Sequence, residues 1–387
     1  MRKIAVVTVG RSDYGLLRPV LREIAATKGL RLRLIVAGAH LQRSQGLTVR
    51  EILADGWQAA ARVRVPAADT PEGISRAMGA ACAGFASAYA RLDPDFIVVL
   101  GDRYEMHAAA LAALPFTIPV AHLHGGELTH GAFDDSLRHS ITKLSHLHFT
   151  ANRAYARRVR QLGEDQRRIF VTGSPAIDNI RSTPLLSRPE LEAELGLDLG
   201  RPTLLVTFHP TTLEWRDAQR QTRELLAALD ASGLQAVVTM PNADTGNAAI
   251  RRLLRAFAAG RREARLVESL GSRRYLSLMA YAAAMLGNSS SGLVEAPSLR
   301  LPVVNVGTRQ GGRLRANNVI DCGYGRAEIL RALRRALSPA FRASLRGMSS
   351  PYGDGRAAPR VARLLIKTPL QGLTDKRFAD LQGGRHG

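Results

Sequence analysis

The chain has 387 residues, 45% hydrophobic and 22% charged, which is enough apolar content for more than one sizeable core. Its net charge is +21, yet only five of its 54 basic residues are lysine, aromatics are 5%, and the arginines are scattered rather than interleaved with aromatic rings, so the charge does not make a nucleic-acid surface. Two cysteines, Cys82 and Cys322, exclude a disulfide framework, and no apolar run approaches the roughly 18 residues that span a bilayer, so no membrane partner is expected and a reducing cytoplasm is the expected setting.

The opening text "MRKIAVVTVGRSDYG" has too short an apolar run for a signal peptide and reads as a first strand, Ile4–Val9. A helix follows, with Leu16, Leu17, Val20, Leu21 and Ile24 at three- and four-residue spacing. Short apolar runs then predict strands at Leu32–Ala37, Phe96–Leu100, Val120–Leu123, His148–Thr150 and Ile169–Thr172. The stripe Leu137, Ile141, Leu144 predicts another helix. Gly173–Pro202 is rich in Pro, Ser and charge and reads as a boundary. A second series of strands follows at Thr203–Phe208, Ala236–Thr239, Ala284–Gly287 and Val303–Val306, with helical stripes between them. Alternating strands and helices imply parallel sheets covered on both faces. The expected fold is therefore α/β, with two Rossmann-like domains at 1–175 and 176–387 and a helix near Ala358–Leu365 packing back at the end.

Ligands of open parallel sheets bind beyond the carboxyl ends of the strands. Those ends carry "VGRSDYG", "GDRYE" and "HLHGGE" in the first series, and "HPTT", "PNADTGN", "GNSSSG" and "NVGTRQGGR" in the second. Ser289, Ser290, Ser291 and Gly292 precede a helical turn and suit a phosphate, with serine capping as the bland alternative. Glu295 stands one turn on, suited to ribose hydroxyls. Arg309 and Arg313 suit a diphosphate, against a merely solvated loop. His209 ends a strand, where backbone satisfaction is the alternative, and Asn242 lies in "PNADTGN". Arg11 occupies the first turn, where a dinucleotide fingerprint would need glycine. Asp102, Glu105, His124, Glu127, Asp134 and Asp135 are acid–base candidates. Capping of the following helix is the alternative for Asp134 and Asp135. His122 and His124 would share one strand face without a further ligand in sight, so no metal is expected. Neither a GxSxG elbow nor a P-loop is present.

Taken together, and in this order from residue 4 to about 321, these motifs resemble the hydrolysing UDP-N-acetylglucosamine 2-epimerases of bacterial sialic- and legionaminic-acid synthesis. The resemblance implies a GT-B-like fold with a cleft between the two domains and a UDP-sugar as the ligand. His209, Asn242, Ser289, Ser290, Ser291, Gly292, Glu295, Arg309 and Arg313 would hold the nucleotide, with Arg11 on the phosphates from the opposite side. Asp102, His124, Glu127 and Asp134 would work on the sugar. The implied reaction removes the C2 proton and expels UDP from C1, giving a 2-acetamidoglycal. Water then adds at C1 while a proton returns to the opposite face of C2. No cofactor is implied, and a homodimer or homotetramer is. UDP-GlcNAc or a close UDP-sugar stands first as substrate, and a UDP- or GDP-linked 2,4-diacetamido-2,4,6-trideoxyhexose second. A non-hydrolysing epimerase is disfavoured because the first turn lacks "RPE", and a non-catalytic nucleotide-sugar binder because the carboxylates are intact.

Overall fold

A computed structural model describes residues 1–68, 70–130, 133–241 and 247–381. Runs such as Phe96–Leu100 and Val303–Val306 are buried at every position, which requires a sheet with helices on both faces. In the first sheet the strands are β1 (Arg2–Thr8), β2 (Leu30–Ala37), β3 (Ala59–Val63), β4 (Phe96–Leu100), β5 (Val120–Leu123), β6 (Leu147–Thr150) and β7 (Ile169–Val171). They lie in the order β3-β2-β1-β4-β5-β6-β7, all parallel. The second sheet has β8 (Thr203–Thr207), β9 (Gln235–Thr239), β10 (Ala264–Val267), β11 (Ala284–Gly287), β12 (Val303–Val306) and β13 (Val319–Cys322). Its order is β10-β9-β8-β11-β12-β13, again parallel.

Each sheet winds outward in two directions from one central pair. In the first, Ile4 of β1 faces both Leu32 of β2 and Phe96 of β4. In the second, Thr207 of β8 faces Thr239 of β9 and Gly287 of β11. The carboxyl ends of β1/β4 and of β8/β11 are therefore switch points, where neighbouring connections leave in opposite directions and open a crevice. Strands β3, β10 and β13, which periodicity did not announce, are all edge strands.

Contacts divide the chain into two compact units. One comprises Met1–Glu127, Phe133–Asn179 and Tyr352–Gly387, and the other Leu128–Ala132 and Ile180–Pro351. The division between Asn179 and Ile180 falls a few residues past the expected 175/176 boundary. The tail assigned from sequence to the second domain packs in the first unit instead. Its helix Ala357–Lys367 buries Val361, Ala362 and Leu365 in the same core as Leu17, Leu21 and Val98. The reason is visible at the start of that helix, where N–H groups lack intrahelical partners. The Asp178 carboxylate accepts the Ala357 and Ala358 N–H groups at 3.0 and 2.8 Å.

Candidate functional site

At the first switch point, β1 runs into the helix Arg11–Ala26. Arg11 opens the helix and is exposed. The turn beneath it is held by Asp13, which accepts the Thr8 hydroxyl at 2.7 Å and the Val9 N–H at 2.9 Å. Because the Thr8 hydrogen is committed to Asp13, His40 Nε2–H donates to Thr8 Oγ1 at 2.9 Å, and His40 Nδ1 meets the Thr48 hydroxyl at 2.7 Å. Burial, and then the Arg103 guanidinium, pushes His40 down to about 4. His40 is therefore a neutral support beneath the loop.

β4 delivers Asp102 after Gly101, and the half-buried Asp102 carboxylate is ion-paired with Arg138, whose side chain is 2% exposed. Arg138 comes from the helix Asp134–Leu144, one turn after Asp134, so both sit on one helix face. Asp134 and Asp135 occupy its first turn, where carboxylates complement the helix dipole, and Asp135 lies 3.4 Å from His139. Glu105 is buried, with Arg103 at 3.3 Å.

β5 ends at Leu123, and His124 turns out of the strand with φ 66°. His122 and His124 therefore do not share a strand face, contrary to the expectation from their spacing. The buried His122 donates Nε2–H to the Gly101 carbonyl at 2.8 Å, and burial pushes it down to about 3. His124 instead puts Nδ1 2.7 Å from Glu127 Oε1 and Nε2 3.1 Å from Ser174 Oγ. Gly126 makes the turn possible: its φ is +78°, and a Cβ there would stand 2.3 Å from the Tyr155 carbonyl oxygen. Arg158, from the same helix as Tyr155, donates to the Gly126 carbonyl. Among the described residues, no three His, Cys, Asp or Glu side chains converge as metal ligands.

In the second unit, His209 and Asn288 lock the ends of β8 and β11 together. The His209 N–H donates to Asn288 Oδ1 at 2.7 Å, and Asn288 Nδ2 donates to the His209 carbonyl at 2.8 Å. Gly287 lets the strands close this far, since a Cβ there would lie 2.0 Å from the Thr207 carbonyl oxygen. The Asn288 carbonyl also receives Arg309 Nη1 at 3.2 Å and Gln310 Nε2 at 2.8 Å. Burial, and then Arg309, holds the His209 ring well below its ordinary range, so the ring is neutral. The short helix Ser291–Val294 follows, with Gly292 buried and Ser289, Ser290 and Ser291 half-buried. Ser290 stands at the N-cap without a side-chain cap bond, while Ser289 Oγ accepts the Ser291 N–H at 3.3 Å. Glu295 closes this helix, so it sits at the far end from the serines. Arg313 reaches the Leu128 carbonyl at 3.3 Å and the Thr129 hydroxyl at 3.4 Å within the same unit.

Asp102, His124 and Glu127 thus lie just past strand ends of the first unit and Asp134 opens the helix that follows, while His209, Ser289, Ser290, Ser291, Gly292, Arg309 and Arg313 lie past strand ends of the second. Arg11 belongs to the first unit. Asn242 lies outside the described residues. Arg138, Ser174 and Asn288 were not singled out from sequence. For Arg138 a signal existed, its four-residue spacing from Asp134.

A family model described as UDP-N-acetylglucosamine 2-epimerase matches residues 22–366. The chain is 38% identical over 384 residues to a "GDP/UDP-N,N'-diacetylbacillosamine 2-epimerase (hydrolyzing)" of Campylobacter jejuni, covering 98% of this chain and 99% of that one. It is 37% identical over 372 residues to a "UDP-N,N'-diacetylbacillosamine 2-epimerase (hydrolyzing)" of Legionella pneumophila, covering 96% and 97%. In fold it is similar to a UDP-GlcNAc 2-epimerase of Neisseria meningitidis solved with UDP-GlcNAc, with a TM-score of 0.83 at 18% identity, covering 95% of this chain and all of that one.

Proposed function

The chain belongs to the UDP-N-acetylglucosamine 2-epimerase family, and on that premise we propose that it is a hydrolysing 2-epimerase of a UDP- or GDP-linked 2,4-diacetamido-2,4,6-trideoxyhexose. One observation carries the substrate: the two relatives at 38% and 37% identity, aligned along nearly the whole chain, are both named for diacetylbacillosamine. This reverses the order expected from sequence, in which UDP-GlcNAc came first.

In this reading the second unit holds the nucleotide, through the serines 289–291, Arg309 and Arg313, around a neutral His209. Positive charge on the departing diphosphate is what the elimination needs. The first unit supplies the proton chemistry. A carboxylate takes the C2 proton as the C1–O bond to the nucleotide breaks and C1=C2 forms. Water then bonds to C1, with a proton delivered to C2 from the other face. Glu127 and Asp102 are the carboxylates assigned to these steps, with Asp134 and His124 assisting. Cys82 and Cys322 are free thiols, which supports a cytoplasmic enzyme. A homodimer or homotetramer is the assembly we expect, with Leu111 and Leu114 exposed at 41% and 40% on one helix end as candidates for contact.

The test is NMR of reactions in D2O with the UDP-linked diacetamido sugar beside UDP-GlcNAc. The expected products are free 2-epimerised sugar and UDP, with deuterium at C2 and the larger kcat/KM for the diacetamido substrate. A larger kcat/KM for UDP-GlcNAc would restore the earlier substrate order. Full retention of the C2 proton would exclude the glycal route.

A further inference from the structure

Both ring nitrogens of His124 face protein groups, so its hydrogen-bonding role is narrow. Nε2 lies 3.1 Å from Ser174 Oγ and Nδ1 lies 2.7 Å from Glu127 Oε1. All three side chains are buried, His124 at 8%, Glu127 at 2% and Ser174 at 1% exposure. Ser174 Oγ accepts the Ala176 N–H at 3.3 Å in a local turn. The Glu127 carboxylate can only accept, so the ring proton belongs on Nδ1, and the Ser174 hydroxyl hydrogen is directed to the Nε2 lone pair. In the singly protonated ring this is the Nδ1–H tautomer, turned toward the Glu127 carboxylate. Glu127 Oε1 at 2.7 Å from Nδ1 and Ser174 Oγ at 3.1 Å from Nε2 hold the ring at both ends.

Ser174 itself is fixed firmly. Its N–H donates to the Tyr352 carbonyl at 2.7 Å, and the Tyr352 hydroxyl meets that of Tyr155 at 3.1 Å. Gly173, at φ +90°, allows this close approach to Tyr352 and Gly353. His124, by contrast, is held at φ 66°, a left-handed conformation that costs a non-glycine residue about 1 kcal/mol or more and persists only where the surroundings enforce it.

We propose that Ser174 is a positioning residue of the reaction, whose hydroxyl fixes the tautomer and pose in which His124 presents Nδ1–H to Glu127. The proposal rests on the reading of Glu127 as a group acting on the sugar. Two measurements test it. The first is 15N NMR of the imidazoles, with the His124 signals found by difference from His124→Gln. The wild type should show the Nδ1–H tautomer, and Ser174→Ala should shift toward Nε2–H. The second is kinetics: Ser174→Ala should lose kcat by about 10²-fold, the scale of a misplaced reacting group. Its KM should stay near wild type and one limb of its pH–rate profile should move, while Ser174→Thr, which keeps the hydroxyl, should recover much of kcat. A wild-type His124 protonated at Nε2, or a Ser174→Ala enzyme with unaltered tautomer, kcat and pH profile, would overturn the proposal. The NMR measurement needs no substrate. A wild-type protein inert toward both nucleotide sugars would therefore defeat the functional reading separately, and Ser174→Ala failing to fold would still leave the wild-type tautomer to decide.

Discussion

Arg138 matters because it is more deeply buried than its partner. Its side chain is 2% exposed and that of Asp102 is 21% exposed, so the guanidinium depends on this carboxylate while the carboxylate still reaches solvent. Removing one partner of a fully buried ion pair costs roughly 3–5 kcal/mol, and the exposure of Asp102 puts this pair below that range. Asp102→Asn keeps the shape of the side chain but cannot take a proton, so turnover should fall by about 10²–10⁴-fold while UDP affinity is retained. Calorimetry with UDP beside a rate assay checks this, and a wild-type rate in Asp102→Asn would return Asp102 to a merely structural part in its loop. Asp102, His124 and Glu127 were legible in the sequence because a titratable group just past a buried strand is easily read. Arg138 was harder to read, because in a chain so rich in arginine its four-residue spacing from Asp134 does not stand out until Asp102 is seen against it. Ser174 was hidden for a different reason: it stands at the head of a Pro- and Ser-rich stretch that reads as linker, and only the return of Tyr352 shows that it is buried. Nor does the spacing of His122 and His124 announce the left-handed turn that sends their rings to different partners.

At the level of elements, the helix Asp134–Leu144 is anchored at the end away from Asp134 and Arg138. Lys376, from the tail, donates Nζ–H to the carbonyls of Lys143 at 2.6 Å and Ser145 at 2.7 Å, where a helix leaves carbonyls without partners. The same ammonium lies 2.8 Å from the buried Glu164, which also contacts His148 and Lys143. Burial alone would raise the Glu164 pKa, but the bonds from His148, Lys143 and Lys376 outweigh it and hold the group down at about 2. Lys376→Met keeps the stem and loses the charged donors, so it should cost about 1.5–3 kcal/mol in urea unfolding. UDP affinity should not change, because no second-unit residue is touched. Unchanged stability would mean that the other holds on the tail suffice, among them Arg168, which donates to the Leu373 and Asp375 carbonyls at 2.7 and 2.9 Å. The tail also shows where pattern reading stops. An apolar stripe at Val361 and Leu365 marks a buried helix but not the core that receives it. The missed strands share a comparable cause: β3, β10 and β13 pair on one side only and keep partly exposed positions, so their text is less apolar than that of the central strands.

For the molecule as a whole, the response to acid follows from histidines buried in neutral form. Burial, first among the causes in each, pushes His40 and His146 down to about 4 and His122 to about 3, against roughly 6.5 in an unfolded chain. Between pH 6.5 and those values the unfolded state binds more protons than the folded state, so stability rises with pH and is lost on acidification. Each such histidine contributes a slope of about 1.4 kcal/mol per pH unit across its window. Glu164, depressed to about 2 from an ordinary 4.5, adds loss of the same sign below pH 4.5. The net charge of +21 grows further as groups protonate, and self-repulsion acts in the same direction. These four groups all belong to the first unit. The second unit has a comparable group in His209. Acid should therefore weaken the first unit more. The two tryptophans report on this separately, since Trp57 lies in the first unit and Trp215 in the second. With Trp215→Phe and Trp57→Phe as single-reporter variants, the urea midpoint read at Trp57 should fall more steeply from pH 7 to 5 than the midpoint read at Trp215. Replacing His122 by Asn removes one titrating ring, so the Trp57 slope should lose one histidine's share even if stability at pH 7 is lower. Equal falls at both tryptophans, or a midpoint that holds steady over this range, would show that the buried histidines do not govern acid stability.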